Sequence, residues 1–179
     1  MQRFASLFRI SCCAALLAFA AAQDAKDIPK IAGESLAGRR VLLPDATAGK
    51  LTVLVIGFSK ASKAPTSAWA RKAVADFGSR SGFELYQLAV LQDVPRFIRG
   101  FVISGIKSGV PKTQHDHFLL VVEGEAELKK LVSYKEPDDA YMVVLDRGGK
   151  SVRQRHGEFS DASYSELRQE IESLLSNQK

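Results

Sequence analysis

Beyond Cys12 and Cys13 the chain has no cysteine, and both lie within its first 22 residues. A form that loses that segment can make no disulfide and offers no thiolate, which excludes thiol–disulfide exchange, cysteine-based peroxide reduction and cysteine-ligated metals. Asn-x-Ser/Thr acceptors are also missing. Long apolar runs are scarce. The stretch 10–19 falls short of the roughly 20 apolar residues a membrane-spanning helix needs, and none of that length follows it. An excess of one charge sign is lacking too: Lys and Arg number 25 against 20 Asp and Glu, too even a balance to point to nucleic acid.

What the first residues do contain is the order of an export signal. Arg3 and Arg9 precede or enter the apolar stretch, and Ala20, Ala21 and Ala22 stand before Gln23. Residues 1–22 therefore read as a signal peptide cut near Ala22, which places the protein in the periplasm or outside the cell; a retained anchor is the alternative. Cleavage removes two bases and no acid, so a net charge of +5 becomes +3. It leaves 157 of the 179 residues, enough for one domain with a real core. In an oxidising compartment that core must be held by packing alone.

Residues 23–32 read as a linker and 33–179 as the domain. Gly33, Gly38 and Pro44 punctuate a small hairpin, and 51–58 is almost continuously apolar, as expected of a central strand covered on both faces. Pro65 opens a helix in which Trp69, Ala73, Val74 and Phe77 recur at helical spacing. A second buried strand is expected over 83–91. Val94, Phe97, Ile98, Phe101, Val102 and Ile106 then mark an amphipathic helix, whose stripe is expected to pack on the core. Arg96, Arg99 and Lys107 on its other side are also what a helix lying on an anionic membrane carries. A short strand at 117–122, a short helix at 125–132 and a hairpin of 141–146 with 151–156 follow. The last helix shows a stripe of Tyr164, Leu167, Ile171 and Leu174, with Ser163 and Glu166 in capping-box spacing. The alternation predicts an α/β domain, a three-layer α/β/α sandwich on a mixed central sheet.

These residues resemble the thioredoxin-like superfamily in its peroxiredoxin-like branch. The likeness rests on Gly49-Lys50 before the strand ending at Gly57-Phe58, on the loop from Ser59 to Pro65 entering a helix, and on 140–146 followed by Gly148-Gly149-Lys150. It narrows toward the mitochondrial ATP synthase assembly factor family, whose C-terminal half is similar to Tyr141 through Asp146, Arg153, Gly157 and Leu167. The resemblance implies a peroxiredoxin fold and a chaperone role in assembling a membrane sector. Two departures matter. Enzymes of the superfamily present a thiolate at the amino end of the helix after the first central strand, where the helix dipole lowers its pKa. Here 59–64 supplies none. They also commonly carry a cis-proline before the strand that here begins at Tyr141, and this chain has Asp139-Ala140.

The candidate sites are few. Ser59, Ser62, Thr66 and Ser67 have no neighbouring base in sequence, so turn and cap roles explain their hydroxyls. Lys60, Lys63 and Thr66, at the amino end of that helix, form a candidate binding site for an anion or a partner's carboxylate. His115 and His117 would share a face on an extended segment and are the candidate metal ligands, with His156 as a possible third. Asp138 and Asp139 read as turn residues. No cofactor is expected. The expected function is binding without redox chemistry, as a chaperone or assembly factor with a protein partner, a membrane protein among the candidates. A metal-dependent or otherwise cysteine-independent enzyme using His115 and His117, and a structural envelope protein, are the alternatives.

Overall fold

The computed structural model describes residues 25–176. Strand β3 (Leu51–Gly57) is buried at every position because both faces of the sheet are covered around it. It pairs in parallel with β4 (Phe83–Val90), from Leu51 opposite Phe83 to Gly57 opposite Ala89. On its other side it runs antiparallel to β6 (Ala140–Leu145), which turns into β7 (Ser151–Gly157). β5 (Phe118–Val121) extends the parallel part, and the hairpin of β1 (Ile31–Ser35) and β2 (Arg40–Leu43) closes that edge. The mixed sheet thus runs β2-β1-β5-β4-β3-β6-β7.

Alternation along each strand divides the apolar residues between two faces. Leu51, Val53 and Val55 join Trp69, Ala73 and Phe77 of α1 (Lys63–Phe77) and Tyr164, Leu167 and Ile171 of α4 (Asp161–Ser176). Leu54 and Ile56 face the other way, where Leu128 of α3 (Glu125–Leu131) packs with Tyr141, Val143 and Leu119. The phenol of Tyr164 ties α4 to α1, donating to Asp76 Oδ2 at 2.8 Å and sharing the Lys72 carbonyl at 3.2 Å. The three layers and the mixed sheet agree with the sequence reading.

Helix α2 (Arg96–Gly109) lies beside α1 over β5, with Val102, Ile103 and Ile106 half-buried against Leu36, Leu91, Phe118 and Leu120. Here the expected packing fails for half of the stripe. No residue of α2 is buried, and Phe97 and Phe101 are 89% and 85% exposed. The reason is geometric. The apolar residues spread over two sides of the helix, and the four-residue β5 turns only Phe118 and Leu120 toward it, enough to cover one side.

Smaller differences are local. β1 begins at Ile31, within the expected linker, and Lys26 already bridges to Ser151. The cap of α4 is Ser160, whose Oγ accepts from the Ser163 amide at 3.1 Å, so Ser163 lies inside the helix. Glu166, the other half of the expected capping box, instead meets Arg155 at 3.4 Å. Residues 112–117 form a 3₁₀ turn rather than an extended lead into β5. The expected signal peptide lies outside the described residues.

Candidate functional site

β3 ends where the parallel strands deliver their loops, and the chain turns through 58–62 into α1. Gly57 is required at that exit: a Cβ there would sit 2.5 Å from Ser62 Oγ. Ser59 and Ser62, three residues apart, lock the turn reciprocally. Ser59 Oγ accepts from the Ser62 amide at 3.0 Å, and Ser62 Oγ donates to the Ser59 carbonyl at 2.8 Å while accepting from the Ser59 amide at 3.3 Å. Thr66, one turn on, is buried, donates to the Ser62 carbonyl at 2.8 Å and accepts from Gln87 Nε2 at 3.3 Å. Its hydroxyl is therefore turned into the fold, and Lys60 and Lys63 remain as the members of the expected anion site that reach solvent.

Between the head of α1 and α2 lies an open groove of about 360 Å³. Leu88, Val90, Phe118, Ile98, Val102 and Ile106 supply its apolar lining, and Lys60, Lys63 and Asp93 its charged groups. Neither lysine pairs with a carboxylate among the described residues. Lys63 Nζ lies against Gly109, 3.1 Å from where a Cβ would stand, at the carbonyl end of α2 whose partial negative charge favours a cation. The groove exists because α2 lies over β5 without closing on α1.

The loop before β6 completes the site from the other side, and sequence reasoning did not find it. Ser59 Oγ donates to Asp138 Oδ1 at 2.8 Å, and Asp139 Oδ2 meets His156 Nδ1 at 2.6 Å. The Tyr141 hydroxyl accepts from the amides of Lys135 and Glu136 at 2.9 Å each and donates to the Glu136 carbonyl at 2.8 Å, pinning the loop to the sheet. His156 stacks on the Tyr141 ring, centroids 5.4 Å apart, as register partners on β6 and β7. Asp138 and Asp139 are thus bonded to separate groups and are not an acid–base pair. Each of Ser59 and His156 is held by a different aspartate, and a carboxylate alone is a poor base for an alcohol, so the turn offers no activated nucleophile.

The two histidines singled out as ligands diverge. On the 3₁₀ turn His115 Nε2 bonds the Val110 carbonyl at 2.9 Å, while His117 Nε2 reaches Glu84 Oε1 at 3.2 Å, an atom also held by Lys50 Nζ at 3.0 Å. His156 is at the far edge of the sheet, on β7. Among the described residues no group of three or more His, Cys, Asp or Glu side chains gathers to hold a metal. The Tyr86 ring lies tilted against that of His117, centroids 5.1 Å apart, and burial, then the Glu84 charge, pushes its phenol above the ordinary value.

The fold is that of thioredoxin-like proteins. The structure superposes on a protein assigned as thiol:disulfide interchange protein DsbE from Chlorobium tepidum with a TM-score of 0.60 at 20% identity, covering 84% of this chain and 96% of that one. BsSco, a member of the Sco family of cytochrome c oxidase assembly proteins, gives 0.60 at 12% identity over 88% and 97%. The exposed lipoprotein thioredoxin Etrx1 of Streptococcus pneumoniae gives 0.59 at 14% identity over 82% and 100%. No family model and no curated protein sequence matches the chain. The likeness to these proteins is one of fold: an α/β thioredoxin-like domain with a seven-stranded mixed sheet.

Proposed function

We propose that this protein acts by binding rather than by redox chemistry, as an exported chaperone or assembly factor that holds an apolar segment of a protein partner in the groove between α1 and α2. The observation that carries this reading is the head of α1. Where thioredoxin-like enzymes present a thiolate, the turn Ser59-Lys60-Ala61-Ser62 closes on itself through its hydroxyls and opens beside it an apolar groove with two unpaired lysines. A side-chain carboxylate or chain terminus at the end of an apolar segment would meet those ammonium groups, while Leu88, Val102 and Ile106 receive the segment itself. BsSco, whose family is named for oxidase assembly, supports the reading because the fold occurs there in an assembly protein. The export signal over 1–22 supplies the location, and the amino-terminal sequence of the native protein, beginning at Gln23, is its check.

A photo-crosslinking residue placed at Ile98 or Val102 in exporting cells tests the groove. Discrete adducts with one or a few envelope membrane proteins are expected, weakened by Lys60→Glu with Lys63→Glu and abolished by Ile106→Asp. Crosslinking that follows protein abundance and is indifferent to those changes in a folded variant would sink the proposal. So would reduction of insulin by the chain that starts at Gln23.

A further inference from the structure

One side of α2 lines the groove; its opposite side faces solvent and carries the most exposed large apolar residues among those described. Successive helical residues turn by about 100°, so Phe97 and Phe101 stand about 40° apart on adjacent turns, with Ile98, 40% exposed, about 60° beyond Phe101. Gly100, Ser104, Gly105 and Ser108 fill the same outer side, and a Cβ at Gly100 or Gly105 would meet nothing within 4 Å. The two phenyl rings therefore stand proud of a surface of small residues.

Charge frames this ridge on both flanks. Arg96 and Lys107 fall on one, about 80–100° from Phe97, and Lys63 lies on the other, against the carbonyl end of the helix. Arg99 is turned inward and spends its guanidinium on the Val94 carbonyl at 2.9 Å and the Gln92 carbonyl at 3.3 Å. The helix contains no acidic residue, and Asp93, before its start, is the nearest in sequence. Aromatic residues on one side of a helix with bases at its margins and no acid complement a plane that is apolar below and negative at its surface.

We propose that the outer face of α2 docks the protein on an anionic lipid bilayer, Phe97 and Phe101 entering the boundary between headgroups and acyl chains while Arg96 and Lys107 meet lipid phosphates. No helix among the described residues is long and apolar enough to cross a membrane, so this contact is peripheral. It uses the side of α2 turned away from the groove, and leaves the groove open at the membrane surface.

The seven strands and four α-helices of the described residues lie between Ile31 and Ser176, so the chain from Gln23 carries all of them and lacks the apolar stretch 10–19. Its co-sedimentation is measured with phosphatidylcholine vesicles holding about 30% phosphatidylglycerol, and with phosphatidylcholine alone. Binding is expected to the first and not the second, to fall with salt, and to drop at least ~10-fold in Phe97→Ser with Phe101→Ser. Arg96→Gln and Lys107→Gln are each expected to weaken it about fivefold. Because these side chains are exposed, the variants should keep the wild-type melting temperature and groove crosslinks, which separates this test from that of the groove. Equal binding to both vesicle types, no binding at physiological salt, or undiminished binding of the double phenylalanine variant would overturn the proposal. So would self-association of the wild type that the same double variant abolishes, since a second copy would then cover the ridge.

Discussion

Gly57 and Ser62 show how closely the turn at the head of α1 is fitted. A methyl group on Gly57 would stand 2.5 Å from Ser62 Oγ and 3.1 Å from Thr66 Cγ2, and the hydroxyl cannot retreat without giving up its bonds to Ser59. Gly57→Ala is expected to cost about 1–3 kcal/mol in denaturant melts, and less than that in a Ser62→Ala background, because the nearer of the two clashes is then gone. Equal costs in both backgrounds would show that the strain arises elsewhere. Tyr164 is a second residue with a readable consequence. Burial, and then its hydrogen bond to the Asp76 carboxylate, holds its phenol well above the ordinary value. The folded state therefore keeps a proton that the unfolded chain loses above about pH 10, so this contribution is complete below that pH and declines as pH rises through the alkaline range. Tyr164→Phe should lower stability by roughly 1–2 kcal/mol at neutral pH and flatten the loss seen between pH 10 and 12. A variant as steep as the wild type in that range would assign the loss to other groups.

At the scale of elements, α1 and α2 are close in length and differ in what holds them. Trp69, Ala73 and Phe77 bury α1 against β3 and β4, whereas α2 has no buried residue and rests on Val102, Ile103 and Ile106. Local opening should follow that difference: amides of α2 are expected to exchange about a hundredfold faster than those of α1, or more. Equal protection would mean that α2 is covered in solution. The same contrast explains what could be read from sequence. The run 51–57 announces a strand covered on both faces, and the stripes of α1 and α4 announce their buried sides, because in each case one apolar pattern matches one surface. In α2 the apolar residues exceed the surface available, and periodicity says nothing about how wide β5 is. The capping of α4 misled for a related reason: Ser160 and Ser163 stand three apart, each followed by a polar residue at capping distance, and only the backbone path chooses between them. The bonds from Ser59 to Asp138 and from Asp139 to His156 join residues 79 and 17 positions apart, distances over which spacing carries no signal.

The molecule as a whole shares its fold with a protein assigned to thiol:disulfide interchange, while its described residues contain no cysteine. Two explanations differ in what they require. Either the scaffold would still present a dithiol if it were given one, or the turn has been reshaped for binding beyond recovery. Ser59 and Ser62 already hold the three-residue spacing of a disulfide motif at a helix amino end, with each hydroxyl directed at the other residue's backbone. The chain from Gln23 carrying Ser59→Cys and Ser62→Cys is therefore expected to form an internal disulfide, found by peptide mapping between residues 59 and 62. Its exposed thiol should react faster than a free cysteine at pH 7, because the dipole of α1 and the neighbouring Lys60 and Lys63 favour the thiolate. Insulin reduction by dithiothreitol should be accelerated by this variant and left unchanged by the parent. Activity should remain low, since Asp139-Ala140 stands where the cis-proline that shapes the substrate groove would be. If the introduced thiols fail to pair in a protein that melts like the parent, the turn no longer has redox geometry, and the missing sulfur is a consequence of its remodelling rather than the whole of it.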